Sequence, residues 1–394
     1  MRSRRLARTA LASIPFVVAA AIVFWVAGAG SDGATAQAPI GDSPESWGTP
    51  VADVIVSTLA GSGAPDDLEG GFRDGDALQA RFSSPAAVAV GPDGTTYVAD
   101  FGNNVIRAIA TDGVVTTFAG NGELGWADGP AQSASFAGPA GIAVDGSGNV
   151  YVSDAVSHLI RVVTPDRQVN TVAGSVPAGT VGKDGSIALG VPEGGFADGG
   201  ALEARFNKPA GIAVDSAGRI YVADKDNHRI RMIANGVVST LAGGRFEGTL
   251  DGQGGAAQLA FPVGLALRSD GSIVFSEQGQ FAVREVTADG TVRTLVKASG
   301  PSGLAGVAVD PSGLIFVADM WSSQVRFVTP AGSVGVLVGT TRGFVDGPGT
   351  VAELGLPTGL ALSPDGELVV ADQASQRIRL VTGLESLRSD IGDE

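Results

Sequence analysis

One pattern occurs six times along this chain. An internal repeat of this kind restricts the possible folds more than any other feature of the sequence. Each copy has an apolar strand and a turn, a second strand that ends in an acid, and an arginine seven positions after that acid. The acids are Asp100, Asp154, Asp224, Glu277, Asp319 and Asp372, and the arginines are Arg107, Arg161, Arg231, Arg284, Arg326 and Arg379. Successive acids are 54, 70, 53, 42 and 53 residues apart, so each copy is long enough for one small sheet that packs on its neighbours.

Each copy carries the signals of four short strands. In the third copy, GIAV predicts a strand, DSAG a turn, IYVAD a second strand with alternating apolar positions, and HRIRMI a third strand. A turn containing Gly, which supplies the positive φ that hairpins need, then precedes a fourth strand, VSTLAG. The chain has 59 Gly without a collagen-like period, as is typical of a protein rich in tight turns. We therefore predict an all-β, six-bladed β-propeller with four-stranded blades.

The fourth strand predicts how the ring closes. Its copies cover residues 56–61, 115–120, 169–174, 238–243, 292–297 and 334–339. The first copy precedes any complete unit, whereas the last unit, ending near Thr382, has no copy after it. We predict that this N-terminal strand completes the sixth blade, because an open sheet edge would otherwise remain. The propeller then spans residues 54–382, with a flexible linker at 31–53 and a short acidic tail at 383–394.

The N-terminal segment predicts export. Four arginines within residues 2–8 precede an uncharged run of 21 residues, 10–30, and this order directs the following chain across a membrane. The small residues 27–29 fit a cleavage site, while the length of the run fits a spanning anchor of about 20 residues. Residues 1–30 are therefore a signal peptide or a signal anchor. We expect the propeller to lie outside the cytoplasm, either secreted or attached through this segment.

The exported part is strongly acidic and contains no Cys. Because residues 1–30 hold four Arg and no acid, the net charge of −15 for the whole chain becomes −19 for the remainder. Such a domain repels phosphate backbones, which excludes nucleic acid as a partner. The lack of Cys excludes disulfides, a thiolate nucleophile and a Cys-type zinc site. We expect a monomeric propeller that meets the membrane only through its N-terminal segment.

The repeats resemble NHL repeats, a propeller family named after an Asn-His-Leu signature. The resemblance rests on the PAGIAV strand, the YVAD strand end and the Ile-Arg pair of the third strand, and it covers residues 54–382. Asn227-His228-Arg229 and Ser157-His158-Leu159 are most similar to the signature, whereas Gln280-Phe281-Ala282 departs from it. The resemblance implies the propeller fold. Similar propellers act as binding platforms, as sensor domains of bacterial receptor kinases, and as lactonases or lyases with a central metal.

A second motif recurs in the segments that join one unit to the next, here called connectors. An Asp-Gly pair stands 26 residues before the repeat acid at Asp74, Asp128, Asp198, Asp251 and Asp346, in four copies with an aromatic residue two positions earlier. These acids could form a cation-binding ring. Five copies at one spacing favour turns closed by the carboxylate, with aromatic side chains filling the seams between blades. The acid–arginine pairs also favour a structural role, worth about 0–1 kcal/mol each if exposed.

The sequence predicts no catalytic residue and no cofactor. The only two histidines, His158 and His228, occupy equivalent loop positions, and a catalytic zinc site generally takes three protein ligands. Asp145, Asp215 and Asp310 end the first strand of three units and could hold Ca²⁺ at a channel mouth. Because these positions immediately precede turns, a role in the turn is the favoured interpretation.

One insertion breaks the symmetry. The interval from Arg161 to Asp198 is 37 residues, against 20 or 21 elsewhere, and the extra stretch lies near residues 175–194. Long loops on repeat scaffolds often carry function, although a tolerated surface insertion is the alternative. The residues predicted to contact a partner are Lys183, Asp184, Ile187, Leu189, Val191 and Glu193.

These features together favour a non-catalytic function. We interpret the chain as an exported binding or scaffold propeller that recognises a protein, peptide or glycan on the loop face carrying the insertion. The first alternative, implied by the family resemblance, is a metal-dependent lactonase- or lyase-like enzyme using Ca²⁺ or Zn²⁺. A sensor role with the N-terminal run as an anchor is the second alternative.

Overall fold

The structure, a computed structural model, describes residues 50–62, 70–176, 192–279, 282–297 and 303–391, whose strands form six sheets. The first strand is β1 (Ile55–Ala60). Blade one contains β2 (Gly75–Asp76), β3 (Pro85–Val90), β4 (Thr96–Asp100), β5 (Val105–Ile109) and β6 (Val114–Ala119). Blade two contains β7 (Gly129–Pro130), β8 (Pro139–Val144), β9 (Val150–Asp154), β10 (Leu159–Val163) and β11 (Gln168–Ala173). Blade three contains β12 (Gly199–Gly200), β13 (Pro209–Val214), β14 (Ile220–Asp224), β15 (Arg229–Ala234) and β16 (Val237–Ala242).

The second half of the chain repeats this arrangement. Blade four contains β17 (Gly252–Gln253), β18 (Pro262–Leu267), β19 (Ile273–Glu277), β20 (Ala282–Val286) and β21 (Thr291–Lys297). Blade five contains β22 (Leu304–Val309), β23 (Ile315–Asp319), β24 (Gln324–Val328) and β25 (Val334–Val338). Blade six contains β26 (Gly347–Pro348), β27 (Pro357–Leu362), β28 (Leu368–Asp372) and β29 (Arg377–Thr382), together with β1. One helix, α1 (Glu385–Ile391), follows.

The six sheets form a closed ring, which confirms the predicted six-bladed propeller. In every blade the strand beginning near a Pro or Leu is innermost, and each inner strand packs against the inner strand of the next blade. Because neighbouring strands are antiparallel, the loops alternate between two faces. We call the face with the connectors and the loops between second and third strands the connector face. The opposite face, with the other two turns of each blade, is the turn face.

The ring closes as predicted, with β1 as the outermost long strand of blade six. It pairs antiparallel with β29, from Ile55 opposite Thr382 to Ala60 opposite Ile378. The connector residue Asp346 bonds the backbone N–H of Thr58 at 3.0 Å and its hydroxyl at 3.1 Å. The two ends of the propeller are therefore joined within one sheet.

Five blades have a fifth strand that the prediction of four strands omitted. This strand has two residues and pairs with the beginning of the long outer strand, as Gly75 and Asp76 do with Val115 and Val114. The Gly after each connector Asp has a positive φ, 128° at Gly75, which turns the chain along the sheet edge. The motif was interpreted as a turn only, and two residues are too few to give a strand pattern.

The hydrophobic core lies between neighbouring blades rather than within one of them. One cluster joins Ala99 and Ile106 of blade one to Phe136 and Val152 of blade two, and all four side chains are buried. The apolar residue eight positions after each connector Asp is fully buried at such a seam: Phe82, Phe136, Phe206, Leu259 and Leu354.

Small residues keep the centre of the ring narrow. A Cβ on Gly211 would overlap the backbone carbonyl oxygen of Val263 in the next inner strand. The equivalent glycines, at the third position of their inner strands, approach the next blade in the same way: Gly141, Gly264, Gly306 and Gly359. Blade one has Ala87 at this position. Any larger side chain would push neighbouring inner strands apart.

The predicted acidic tail contains the helix α1, which packs on the turn face. Leu384 and Leu387 are buried, and Arg388 donates from Nε to Asp310 at 2.9 Å and from Nη2 to the carbonyl of Gly366 at 2.8 Å. Two leucines three positions apart are too short a pattern to predict a helix from sequence. Across the described ranges, no helix has both the length and the apolar character needed to cross a membrane.

Candidate functional site

Each repeat arginine lies at the centre of a buried polar network, seen most fully around Arg231. Its guanidinium is fully buried and contacts Asp224 at 2.5 Å and Asp198 at 2.6 Å. It also donates to the backbone carbonyls of Ala197 at 2.7 Å and Arg205 at 3.1 Å. This one side chain thus ties the end of the second strand of blade three to the connector that leads into that blade.

The same network recurs in five blades. The connector acids paired with Arg107, Arg161, Arg231, Arg284 and Arg379 are Asp74, Asp128, Asp198, Asp251 and Asp346, at 2.5–2.8 Å. Each of these acids also bonds the hydroxyl of a threonine in the outer strand: Thr117, Thr171, Thr240, Thr294 and Thr58. The connector carboxylates therefore join the arginine to the outer strand. Sequence reasoning treated the two motifs separately, although their constant 33-residue separation was a signal that they meet.

The repeat acids anchor the inner strands. The carboxylate of Asp224 accepts the backbone N–H of Asn207 at 2.8 Å, and that of Glu277 accepts the N–H of Ala260 at 3.0 Å, in each case just before the inner strand begins. Both carboxylates are buried. Burial raises the pKa of Asp224 to about 6, as it does for Asp100 and Asp154, and that of Glu277 to about 7, against the opposing pull of the adjacent arginine.

The raised pKa of Glu277 predicts a specific dependence of stability on pH. Because a folded-state pKa of about 7 exceeds the ordinary value of 4.5, the folded protein binds this proton more tightly than the unfolded chain. The resulting stabilisation is full at low pH and is lost as the pH rises through about 7. We expect the free energy of unfolding of the wild type, relative to Glu277→Gln, to fall by about 2 kcal/mol between about pH 5 and pH 8.

Urea unfolding of the two proteins across this pH range tests the prediction. Glu203→Gln, which removes an exposed carboxylate from the connector into blade three, is the matched control for the loss of one carboxyl group. A difference between wild type and Glu277→Gln that is constant with pH would contradict the proposed titration.

Blade five lacks the connector Asp-Gly and has a different arginine geometry. Arg326 donates from Nε to Asp319 at 2.9 Å and from Nη2 to the hydroxyl of Ser322 at 3.0 Å. Its sheet has four strands. The shortened connector into blade five accounts for the absence of a fifth strand in the described part of that blade.

Both histidines hold neighbouring blades together. The Nδ1 atom of His158 accepts the backbone N–H of Lys208 at 2.9 Å, and that of His228 accepts the N–H of Phe261 at 3.4 Å. Both residues have positive φ, at 60° and 55°. Burial lowers the pKa of His158 to about 4, so its imidazole is neutral and able to accept this bond. Gln376 bonds Ser84 of the next blade in the same manner.

Asp145, Asp215 and Asp310 lie in turns on the turn face. Asp145 accepts the amide N–H groups of Ser147 and Asn149, and Asp215 accepts those of Ala217 and Arg219, all at 2.9–3.0 Å. Asp310 does the same with Ser312 and Leu314 and also pairs with Arg388. Within the residues that the structure describes, no three His, Cys, Asp or Glu side chains are grouped to hold a metal ion.

Most of the predicted insertion lies outside the described residues, including Lys183, Asp184, Ile187, Leu189 and Val191. The linker up to residue 49 and the N-terminal segment lie outside them as well. Glu193 is exposed, and its backbone carbonyl accepts a hydrogen bond from Arg205 at 3.1 Å. The described chain resumes at residue 192, in the connector into blade three.

The connectors of blades one to four carry exposed apolar side chains, and sequence reasoning missed them. Four of them, taken one from each connector into blades one to four, are Phe72, Leu124, Phe196 and Phe246, with exposed fractions of 57%, 54%, 46% and 68%. We call these four residues the apolar arc. The same connectors also expose Leu78, Leu202 and Leu250. The prediction placed Phe72 and Phe196 in the seams, but each instead lies over a buried arginine, Arg107 at 5.0 Å and Arg231 at 4.9 Å.

Comparison with known proteins identifies the repeats. A model of the NHL repeat matches residues 136–163 and 206–231, which cover parts of blades two and three, and a model of the teneurin NHL domain matches residues 53–121. The chain is a six-bladed β-propeller built from NHL repeats. Among curated proteins, this NHL propeller is similar to Teneurin-3 of Danio rerio, with 28% identity over 372 residues. The match covers 83% of this chain and 13% of the teneurin, so the chain spans a small part of that relative's length.

Solved structures share the fold. The NHL propeller resembles a protein of unknown function from Bacteroides thetaiotaomicron, with a TM-score of 0.61, 18% identity, and coverage of 84% of this chain and 76% of the other. It also resembles a gluconolactonase from Xanthomonas campestris, with a TM-score of 0.54, 15% identity, and coverage of 84% and 91%. At these identities the likeness concerns the fold alone.

Proposed function

We propose that this NHL propeller is a non-catalytic binding domain, exported from the cytoplasm, whose connector face binds a protein partner. The observation that carries the proposal is the apolar arc, which places a large exposed apolar side chain on each of four consecutive blades. Large apolar groups at the centre of an interface typically supply most of its binding free energy. The similarity to teneurin NHL domains agrees with such a role.

The arc is well suited to binding because two of its aromatic rings are held in place. Phe72 and Phe196 stack on Arg107 and Arg231, whose guanidinium groups are themselves fixed by two carboxylates each. A side chain that is ordered before binding loses little conformational entropy when the partner arrives. The buried network thus supports the surface above it.

The chemistry of the arc favours a protein or peptide over a glycan. Three aromatic residues and one leucine extend over four blades, a span that fits an extended protein surface. The insertion near residues 175–194 precedes the arc residue Phe196, and we propose that Lys183, Asp184, Ile187, Leu189, Val191 and Glu193 add to the same interface. Residues 1–30 would deliver the propeller to the outside of the cell, as a cleaved signal or as an anchor.

Removing the arc tests this function. We expect Phe72→Ser/Phe196→Ser/Phe246→Ser in the full chain to lose at least about 90% of the partner that wild type captures from the extracytoplasmic fraction, because several central anchors are removed. The control is Val114→Ser/Val237→Ser, which removes two exposed apolar side chains at turns of the opposite, turn face. Quantitative mass spectrometry of the captured proteins is the measurement.

The outcome separates a binding domain from an enzyme. Equal capture by the arc variant and the wild type would refute the connector face as the binding surface. Capture that is unchanged by EDTA is expected, since the proposal involves no metal. Hydrolysis of a lactone or ester by the purified chain that depends on added Ca²⁺ or Zn²⁺ would refute the non-catalytic assignment.

A further inference from the structure

The turn face contains a cleft with an apolar floor and an acidic rim, where blades six and one meet. Its volume is about 370 Å³. The floor is formed by the side chains of Leu59, Val90, Val369 and Leu380, and the acids at the rim are Asp93, Asp365 and Glu367. No Lys or Arg lines this cleft among the described residues. The cleft therefore combines negative charge with a hydrophobic surface.

At two other seams on the same face, an arginine of the chain itself bonds across to a neighbouring blade. Between blades five and six, Arg388 of α1 bonds Asp310 on one side and the carbonyl of Gly366 on the other. Between blades one and two, Arg167 lies 4.5 Å from the ring of Phe118 and donates to the carbonyl of Thr117. The fold thus already shows how a guanidinium is held between two blades, by turn carboxylates, carbonyls and an apolar surface.

The turn of blade six explains why its cleft is acidic. The turn in question joins the first and second strands of a blade. In blades two and three it begins with an acid, Asp145 or Asp215. The side chain four positions later, Asn149 or Arg219, donates a hydrogen bond to that acid. Blade six has Ser363 at the start and Glu367 four positions later, so that two carboxylates, Asp365 and Glu367, stand on one turn. Asp365 is exposed, and Glu367 donates its backbone N–H to the hydroxyl of Ser363 at 3.1 Å. These charges lie next to the seam that Arg388 occupies.

We propose that the cleft between blades six and one binds an arginine side chain of a basic segment in a second protein partner, on the face opposite the apolar arc. The aliphatic stem of the arginine packs on the apolar floor, and its guanidinium pairs with Asp365 and Glu367 at the rim. Arginine fits better than lysine because its planar fork donates to two carboxylates at once. A strongly acidic domain also attracts such a segment from a distance.

Fluorescence anisotropy with the full chain tests this site. The probe is a labelled peptide of the sequence Gly-Arg-Gly-Arg-Gly, compared with the same peptide carrying citrulline, which keeps the shape of arginine without its charge. We expect the arginine peptide to bind and the citrulline peptide to bind at least roughly tenfold more weakly, the loss that corresponds to two exposed ion pairs. The variant Asp365→Asn/Glu367→Gln is expected to bind the arginine peptide more weakly than the wild type does, by a similar factor.

Two further variants keep the test specific. Glu123→Gln/Asp76→Asn removes the same charge from connectors, outside the cleft, and is expected to leave peptide affinity unchanged. Thr111→Arg places a tethered guanidinium at the exposed margin of the cleft and is expected to compete with the peptide, as Arg388 occupies the adjacent seam. Equal weakening by both charge-removing variants, or full binding by Asp365→Asn/Glu367→Gln or Thr111→Arg, would overturn the proposal.

Discussion

Replacing Arg231 with alanine is expected to lower the free energy of unfolding by about 3–5 kcal/mol, the loss typical when one partner of a buried ion pair is removed. The substitution leaves the buried carboxylate of Asp224 without its counter-charge. It also removes the side-chain hydrogen bonds to the carbonyls of Ala197 and Arg205, which keep only the backbone hydrogen bonds between these two residues at 3.1 and 3.4 Å. Urea unfolding followed by tryptophan fluorescence measures the loss. Arg231→Lys should recover little of it, because one ammonium cannot reproduce the fork of donors.

The control for this prediction lies in the same blade. Arg219 pairs with Asp215 at 2.6 Å, but its side chain is 46% exposed. Arg219→Ala is therefore expected to lose far less stability than Arg231→Ala, as is typical of a surface ion pair. If the two arginine variants lose similar stability, the buried network does not hold the blade together, and the repeat acids and arginines have another role.

The spacing of residues predicted the fold because each element of a blade leaves its own pattern. The alternating apolar positions of IYVAD and the six acids at regular distances determine the strands and the number of blades. The copy of the fourth strand that precedes the first complete unit predicted how the ring closes. Such features depend only on local order along the chain, which a single sequence shows directly.

The site could be predicted less well because it depends on contacts between distant residues. The repeat predicts a structural role for the pair of Arg231 and Asp224, but not that Arg231 is fully buried and also holds Asp198. Exposure of Phe196 could not be predicted, since an aromatic residue in a repeat suggests a core position. Arg388 presented no pattern at all: its partner Asp310 is 78 residues away, and only the fold brings the two together.

These contacts connect the interior of the molecule to its surfaces. On the connector face, buried arginines support the exposed rings of Phe72 and Phe196. On the turn face, Arg388 occupies one seam while the neighbouring cleft remains open. The repeated interior maintains the ring, and the positions where copies differ form the surfaces available to partners.

Deleting residues 54–61 is expected to abolish the folded monomer, because β1 supplies the outermost long strand of blade six and closes its sheet. Its removal exposes the backbone edge of β29 and the buried surface covered by Val56 and Ala60. It also leaves Asp346 without its two bonds to Thr58. An uncovered strand edge pairs with other chains, so we expect aggregation and loss of the cooperative unfolding transition. Size-exclusion chromatography and thermal unfolding measure both effects.

Restoring the strand at the other end of the chain distinguishes ring closure from a general effect of truncation. The backbone near Gly383 lies beside Asp53, so the place where β1 begins is close to where β29 ends. We propose to append residues 54–61 after Glu394 through a Gly-Ser linker that is long enough to reach the end of β29. The appended strand should then pair with β29 as β1 does. We expect this rearranged chain to be monomeric and to unfold cooperatively. A deletion variant that stays a stable monomer, or a rearranged chain that aggregates like the deletion, would show that the ring does not depend on pairing of β1 with β29.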